Sequence, residues 1–577
     1  MLRGDVGLEL GQRVALALRA ALDVDITAEE ALIRPSNRDG ADYQCNVAMS
    51  LAKKVGRNPR EVAQLIVEHL DAADAVETPE IAGPGFINLR LTQAFLEQQT
   101  NNLRHDERLG VPTTQEPRRI AIDYSSPNVA KEMHVGHVRA TVIGDALSRL
   151  LAFAGHEVIP HNHLGDWGTP FGMLIEHLTD LGHGDDFRIS DLNGFYQAAR
   201  AKFDSDPAFA DRSRRRVVLL QGGDEATLAL WRELVAESQR HFDHIYDVLG
   251  IQLTAEDTYG ESFYNPFLAD TITELQQKGL VEESDGALCV FPPGFKGREG
   301  DRQPLIVRKS DGGYGYATTD FATVRYWVRE RKVDELIYVV GAPQTLHFQM
   351  IFATSKQAGW LDDAHTAVHT PFGTILGEDG KTIRTRAGGT IKLVDLLTEA
   401  VEHAEKAIPE TSQVEGEERA ELARVLGIGA VKYADLHNDR EKDYVFSWDK
   451  MLAKTGDTSV YVQYANARTH SIALKVGRTA PNDAAITLHE KAERDLALKL
   501  LQLPAAVQAA IDDLAPHKLT AYLFDTATAL STFYENCPVR NAETQELQDS
   551  RLHLLNLTSR VLTLGLGLLG IGAPERL

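Results

Sequence analysis

Residues 118–141 read RRIAIDYSSPNVAKEMHVGHVRAT, and how this stretch folds decides the architecture of the chain. The run IAIDY has the length and apolar content of a buried strand. It stops at the turn-formers SSPN, and VRATVIGDALSRLLAFAG (138–155) then reads as a long helix. The same plan recurs in HEVIPHNHLGDWG (156–168), where a strand runs into a glycine-containing loop. It recurs again in ELIYVVGAPQTLHFQMIFATSKQAG (335–359), as strand, loop and helix. Strands alternating with helices predict an α/β domain, a Rossmann-type parallel sheet with crossover helices.

That placement gives His134 and His137 their interest. They sit where a helix begins beyond the carboxyl end of a strand, an edge at which helix N-termini point at phosphates and nucleotides. Gly136 between them removes a Cβ where a flat base would approach the backbone. A second reading is zinc, with His161 and His163 at the end of the next strand as further ligands. Four histidines without a carboxylate or thiolate make an uncommon zinc site, no His-Glu-x-x-His is present, and Lys131 adds repelling charge. A third reading has the two histidines merely capping the helix. The residues alone leave all three open.

At 577 residues the chain is too long for one hydrophobic core. Boundaries are expected at 1–112 for an N-terminal α+β module containing the turn GPG and the strand FINLRL, and at 113–393 for the Rossmann-type domain. A polar, mostly helical insertion is expected around 185–262. A helical connecting region (394–455) and an α-helical bundle (456–577) follow; beyond the turn-rich stretch GRTAPNDAAITLHE the bundle reads as about three helices. The N-terminus is amphipathic and broken by charge, and VLTLGLGLLGIG is too short and glycine-rich to cross a bilayer. A cytoplasmic protein with no membrane partner is expected. Cys45, Cys289 and Cys537 are scattered and form no C-x-x-C, so neither a disulfide framework nor a structural zinc site is expected. The net charge of −23 counts against nucleic acid as a partner only in part, because phosphate binding depends on the local patch. The basic run Arg212–Arg216 reads better as a solvated helix end than as such a patch.

SSPNVAKEMHVGH resembles the HIGH signature of the class I aminoacyl-tRNA synthetases, with His134-Val135-Gly136-His137 as the signature itself. The flanking Ser-Ser-Pro-Asn-x-Ala-Lys is similar to that of the arginyl-tRNA synthetases. GADYQCN (40–46), GPGFINL (83–89), NHLGDWGTPFG (162–172), YATTD (316–320), VVGAPQTLHFQ (339–349), YVFSWDKMLAKTGDTSVYVQYANAR (444–468) and the terminal LLGIGAPERL resemble the same family in the same order.

The resemblance implies a two-step reaction. The carboxylate of L-arginine attacks the α-phosphate of ATP, with Mg²⁺ accompanying the phosphates, and the arginyl group then passes to the 3′-terminal adenosine of tRNA(Arg). It assigns ATP to His134, Gly136 and His137, and arginine to Ser126, Asn128, His137, Tyr316, Asp320 and Gln344, with Glu261 as a second carboxylate for the guanidinium. It also implies that the N-terminal module and the helical tail contact tRNA, and that adenylate formation needs tRNA. A monomer is expected, since nothing in the sequence demands a partner subunit. One departure stands out. The second class I signature, KMSKS, corresponds here to GEDGKTIRTRAGGTIKL (377–393), where Arg384, Thr385 and Arg386 occupy the signature positions and no second lysine follows. Lys131 is the first candidate for the missing phosphate-binding lysine and Lys381 the second. Two alternatives compete: another class I synthetase, and a tRNA-binding paralogue without catalysis.

Overall fold

The computed structural model describes residues 5–36, 38–182, 189, 191–297, 300–310, 312–383, 391–409, 412 and 414–577. Its contacts group the chain into two units, Met1–Thr114 with Ala404–Tyr433 and Asp449–Leu577, and Gln115–His403 with Ala434–Trp448.

The second unit carries the parallel sheet. Four strands, β1 (Arg119–Asp123), β2 (Glu157–His161), β3 (Glu335–Gly341) and β4 (Thr366–Phe372), lie in the order β4-β3-β1-β2, every pair parallel. Ala121, Ile122, Leu336, Ile337 and Val339 are buried, as strands covered by helices on both faces must be. Helix Gly136–Phe153 buries residues all round its circumference, which is why its sequence is apolar with little polar stripe. Gly144 lets it press on the sheet, since a Cβ there would stand 2.2 Å from Tyr124 Cβ.

The order of strands locates the site. The chain leaves β1 for β2 on one side and later returns to place β3 on the other, so the crevice between the carboxyl ends of β1 and β3 is a topological switch point. Ligands of open parallel sheets bind at such points.

Among the elements between β2 and β3 are the helices Leu192–Ser205, Pro207–Gln221 and Glu225–Leu249 and, after them, the antiparallel strands Val281–Ser284, Ala287–Val290 and Leu305–Arg308. The basic run ends up largely neutralised. Arg212 pairs with Glu176 and Asp180, Arg216 with Glu176, and Arg214 with Asp211.

In the first unit, Ile33–Pro35, Tyr43–Cys45, Phe86–Leu89 and Glu80–Ala82 form an antiparallel sheet in that order. The turn before Phe86 needs its glycine: Gly85 has φ +150°, and a Cβ there would sit 2.8 Å from the Pro59 carbonyl oxygen. Within the same unit Arg494 forks onto Asp42 at 2.9 and 2.6 Å, a bidentate pair of the strong kind. Beyond the turn-rich stretch the bundle has four helices where about three were expected: Lys491–Leu500, Leu503–Asp512, His517–Asn536 and Gln545–Leu568. The extra break falls at Pro504, which stands in the first turn of Leu503–Asp512, where its missing N–H costs nothing. Tyr461 packs on Phe524, with ring centroids 5.5 Å apart. No described helix is long and apolar enough to cross a membrane.

Candidate active site

The loop that leaves β1 is strained. Ser125, Ser126 and Ala130 adopt φ of 71°, 50° and 59°, a region that costs a non-glycine residue about 1–3 kcal/mol and persists only where surroundings hold it. They do so here. Ser126 donates its N–H to Asn162 Oδ1 (3.1 Å) and its Oγ–H to Asp123 Oδ1 (2.8 Å). Ser125 Oγ lies 2.8 Å from Tyr246 Oη, and the Ala130 N–H donates to Ser238 Oγ at 2.9 Å. The result is a fixed strap across the mouth of the switch-point crevice.

The two histidines end that strap. The His134 N–H donates to His137 Nδ1 (3.0 Å), and the Gly136 N–H donates to His134 Nδ1 (3.1 Å). Because each Nδ1 accepts, each ring is the neutral tautomer with its proton on Nε2, free to donate outward. Burial, then Lys131, lowers the His134 pKa; burial, then His134, pushes His137 down to about 3. Both imidazoles are therefore uncharged donors at neutral pH. Gly136 is needed within the motif itself, since a Cβ would stand 2.8 Å from His134 Cε1. His161 is buried, with Nε2 3.1 Å from Tyr264 Oη, Nδ1 3.7 Å from Asp123 Oδ1 and its ring centroid 5.4 Å from that of His163. Among the described residues no three His, Cys, Asp or Glu side chains are grouped to hold a metal ion.

On the other side of His137 opens a cavity of about 520 Å³. Ser126, Asn128, His137, Glu261, Tyr316, Asp320 and Gln344, every residue expected at an amino-acid pocket, line it together with Gly136. Tyr316 and Asp320 stand one turn apart on helix Tyr316–Arg329 and so face the same space. Glu261 is brought in by the loop after β2, where its N–H donates to the Leu164 carbonyl at 2.9 Å. The next residue, Ser262, donates both its N–H and its hydroxyl to Asp166.

A second cavity, of about 530 Å³, is lined by Lys131, His134, Glu132, Asp191 and Lys392, and shares Asn128 and His137 with the first. Lys131 Nζ stands 4.7 Å from the centre of the Tyr196 ring. Lys381 is exposed on the turn where the Gly377 N–H meets its carbonyl, and lines neither cavity. Arg384, Thr385 and Arg386 lie outside the described residues.

Asp123 and His347 of the pocket escaped sequence reading, and His163 entered it only as a candidate zinc ligand. Asp123, the last residue of β1, lines it as a third carboxylate beside Asp320 and Glu261, and His163 lines it from the loop after β2. His347, in the first turn of helix Thr345–Gln357, lies with Nε2 2.6 Å from Asp320 Oδ2. Burial opposes the imidazolium, but the hydrogen bond and charge of Asp320 prevail and raise the His347 pKa.

Two of the pocket's carboxyls are held back from ionising at neutral pH. Burial pushes Asp123 to about 7, against the hydrogen bond from Ser126; burial followed by repulsion from Asp166 and Asp320 pushes Glu261 to about 7. A guanidinium favours the ionised forms, so its binding draws protons off these groups. Arginine KM is expected to fall as pH rises from 6 to 8, by up to about tenfold per unit for each group that must ionise. Glu261→Gln should flatten that slope. A wild-type arginine KM that is level across the range would contradict the charge assignment.

A family model described as "tRNA synthetases class I (R), catalytic domain" matches residues 98–448. "DALR anticodon binding domain" matches 462–577, and "Arginyl tRNA synthetase N terminal domain" matches 8–91. The arginine–tRNA ligase of Thermobifida fusca is 53% identical over 573 residues, covering 98% of this chain and 99% of the relative. That of Nostoc punctiforme is 47% identical, covering 97% and 98%. Among solved structures, the arginyl-tRNA synthetase of Plasmodium falciparum superposes with TM-score 0.85 at 29% identity, covering 100% of both chains. That of Thermus thermophilus gives 0.83 at 26%, covering 99% of this chain and 100% of the other.

Proposed function

The chain belongs to the arginyl-tRNA synthetase family, class I ligases that use ATP to join arginine to tRNA, and on that premise we propose which residues carry each part of the reaction. The observation that carries the proposal is the division of the crevice at His137, with carboxyls and no lysine lining one side, and neutral histidine donors with Lys131 and Lys392, beside Glu132 and Asp191, on the other.

Asp320 and Glu261 take the guanidinium, whose planar fork of N–H donors suits fixed carboxylates, and Tyr316 and Gln344 close the pocket around it. Ser126, Asn128 and His137 hold the amino-acid end at the mouth. The arginine carboxylate then faces the α-phosphate of ATP, whose adenine lies against Gly136. One carboxylate oxygen bonds to the α-phosphorus, the α–β bridging bond breaks, and pyrophosphate leaves with the electron pair. No protein nucleophile takes part. His134 and His137 donate Nε2–H to phosphate oxygens as charge builds there, and the Lys131 ammonium attracts the same charge. Mg²⁺ arrives on the ATP phosphates. The adenylate is then attacked by a ribose hydroxyl of the tRNA 3′-terminal adenosine, releasing AMP. The N-terminal module and the helical bundle hold the rest of the tRNA, and the protein acts as a monomer in the cytoplasm.

Lys131→Ala tests the phosphate side. Single-turnover adenylate formation with saturating arginine and tRNA is expected to slow by about 10²-fold, the scale of losing one donor to a developing charge. Formation at near the wild-type rate would remove Lys131 from the site.

A further inference from the structure

Residues 391–393 run in close register with the histidine strap. The Val135 N–H donates to the Ile391 carbonyl (3.0 Å), His134 and Lys392 pair as an antiparallel bridge, and the Leu393 N–H donates to the Met133 carbonyl (2.9 Å). These backbone links set Lys392 directly opposite His134. Its ammonium enters the 530 Å³ cavity and meets Glu132 Oε2 at 2.8 Å and Asp191 Oδ1 at 3.6 Å. Glu132 is itself held, its N–H donating to Asn193 Oδ1 (3.2 Å) and its Oε2 accepting from Asn193 Nδ2 (3.3 Å). Lys392 is therefore a positioned cation, little more than a third exposed, on the same wall as Lys131 and His134.

We infer that Lys392 is a phosphate-binding lysine of adenylate formation, parked on Glu132 and Asp191 until the β- and γ-phosphates of ATP draw its ammonium across. The inference rests on the reading that places the ATP phosphates beside His134. It also explains how a chain whose second signature lacks its final lysine keeps two ammonium groups on this cavity. Two cations there would oppose each other without a counter-charge, and Glu132 with Asp191 supplies one. A polyphosphate, with more negative charge than either carboxylate, outcompetes them and holds Lys392 through the transition state. Pyrophosphate departure then returns the lysine to Glu132.

A tether would use the same ion pair only to fix the strap, so the test must separate the two roles. Lys392→Met keeps the stem and removes the charge; Lys392→Arg keeps the charge; Glu132→Gln breaks the pair while leaving the ammonium. With magnesium ATP and pyrophosphate as probes, arginine KM and a thermal melt report the integrity of the pocket and fold. Lys392→Met is expected to raise the KM for ATP and for pyrophosphate in the reverse reaction by about tenfold or more, and to slow single-turnover adenylate formation by about 10²-fold. Lys392→Arg should recover most of that loss. Glu132→Gln should leave pyrophosphate binding as tight or tighter, the opposite direction from Lys392→Met.

If Lys392→Met and Glu132→Gln shift these constants alike, or Lys392→Met leaves both phosphate constants unchanged, Lys392 is a tether and the inference fails. If His134→Ala also leaves both constants unchanged, the placement of the phosphates fails instead. Loss of arginine affinity or of the melt in Lys392→Met alone, with Lys392→Arg normal in every constant, would likewise assign the residue to the fold and overturn the proposal.

Discussion

Asp320→Asn is expected to raise the arginine KM by about a hundredfold or more while moving the ATP KM little, because removing one partner of a desolvated charge pair costs about 2–5 kcal/mol. The substitution is nearly isosteric, and the amide oxygen can still accept from His347, so the pocket keeps its shape and loses only a charge. The loss falls on the guanidinium, since Asp320 lies on the wall away from His134 and the second cavity. Discrimination should weaken as well. Lysine brings a single compact ammonium, and a pocket that offers fixed acceptors to a planar fork rejects it by leaving those acceptors unmatched. Steady-state constants for arginine and lysine in the pyrophosphate exchange reaction with tRNA present measure both effects. An unchanged arginine KM with a collapsed kcat would move Asp320 out of the guanidinium site.

His137→Ala is expected to lower the rate of adenylate formation by about 10²–10³, near 3–4 kcal/mol of barrier. Two losses combine. The Nε2–H donor disappears, and so does the Nδ1 that accepts the His134 N–H, which leaves the first histidine without its anchor. Since His137 titrates near 3, the wild-type rate constant for this step should show no inflection from it between pH 5 and 8. Rapid quench of adenylate at saturating substrates, followed across pH, reads the rate and the profile together. A rate within about threefold of wild type would deny the residue any direct part in the chemistry.

What could be read from the sequence divides along physical lines. The strand–turn–helix at 119–153 was legible because each element has a local signature: an apolar run, a cluster of turn-formers, then a long apolar helix. The pocket residues Tyr316 and Asp320 came from the resemblance of YATTD to the family, and their spacing of four fits one face of the helix on which they stand. Asp123 stayed hidden because an acid closing an apolar run reads as the end of a strand, and only the sheet order shows that this end faces the switch point. His347 was invisible for a related reason, since its partner Asp320 lies on a different helix. Lys392 lies beside His134 through pairing across more than 250 residues of chain, which no local pattern encodes. The basic run Arg212–Arg216 shows the reverse case. Locally it reads as a solvated helix end, but it lies within helix Pro207–Gln221, and Glu176 and Asp180, on helix Pro170–Leu181, take up much of its charge.

On the proposed reading one crevice, divided at His137, holds the guanidinium on the side of Asp320 and Glu261 and the phosphate chain on the side of His134. The most direct measurement is a crystal structure of the full chain with a non-hydrolysable arginyl-adenylate analogue. Guanidinium nitrogens are expected within hydrogen-bond distance of Asp320 and Glu261, the adenine against Gly136, and the phosphate mimic within reach of a histidine Nε2. A guanidinium seated away from Asp320, or an adenine on the far side of the strap from Gly136, would contradict it.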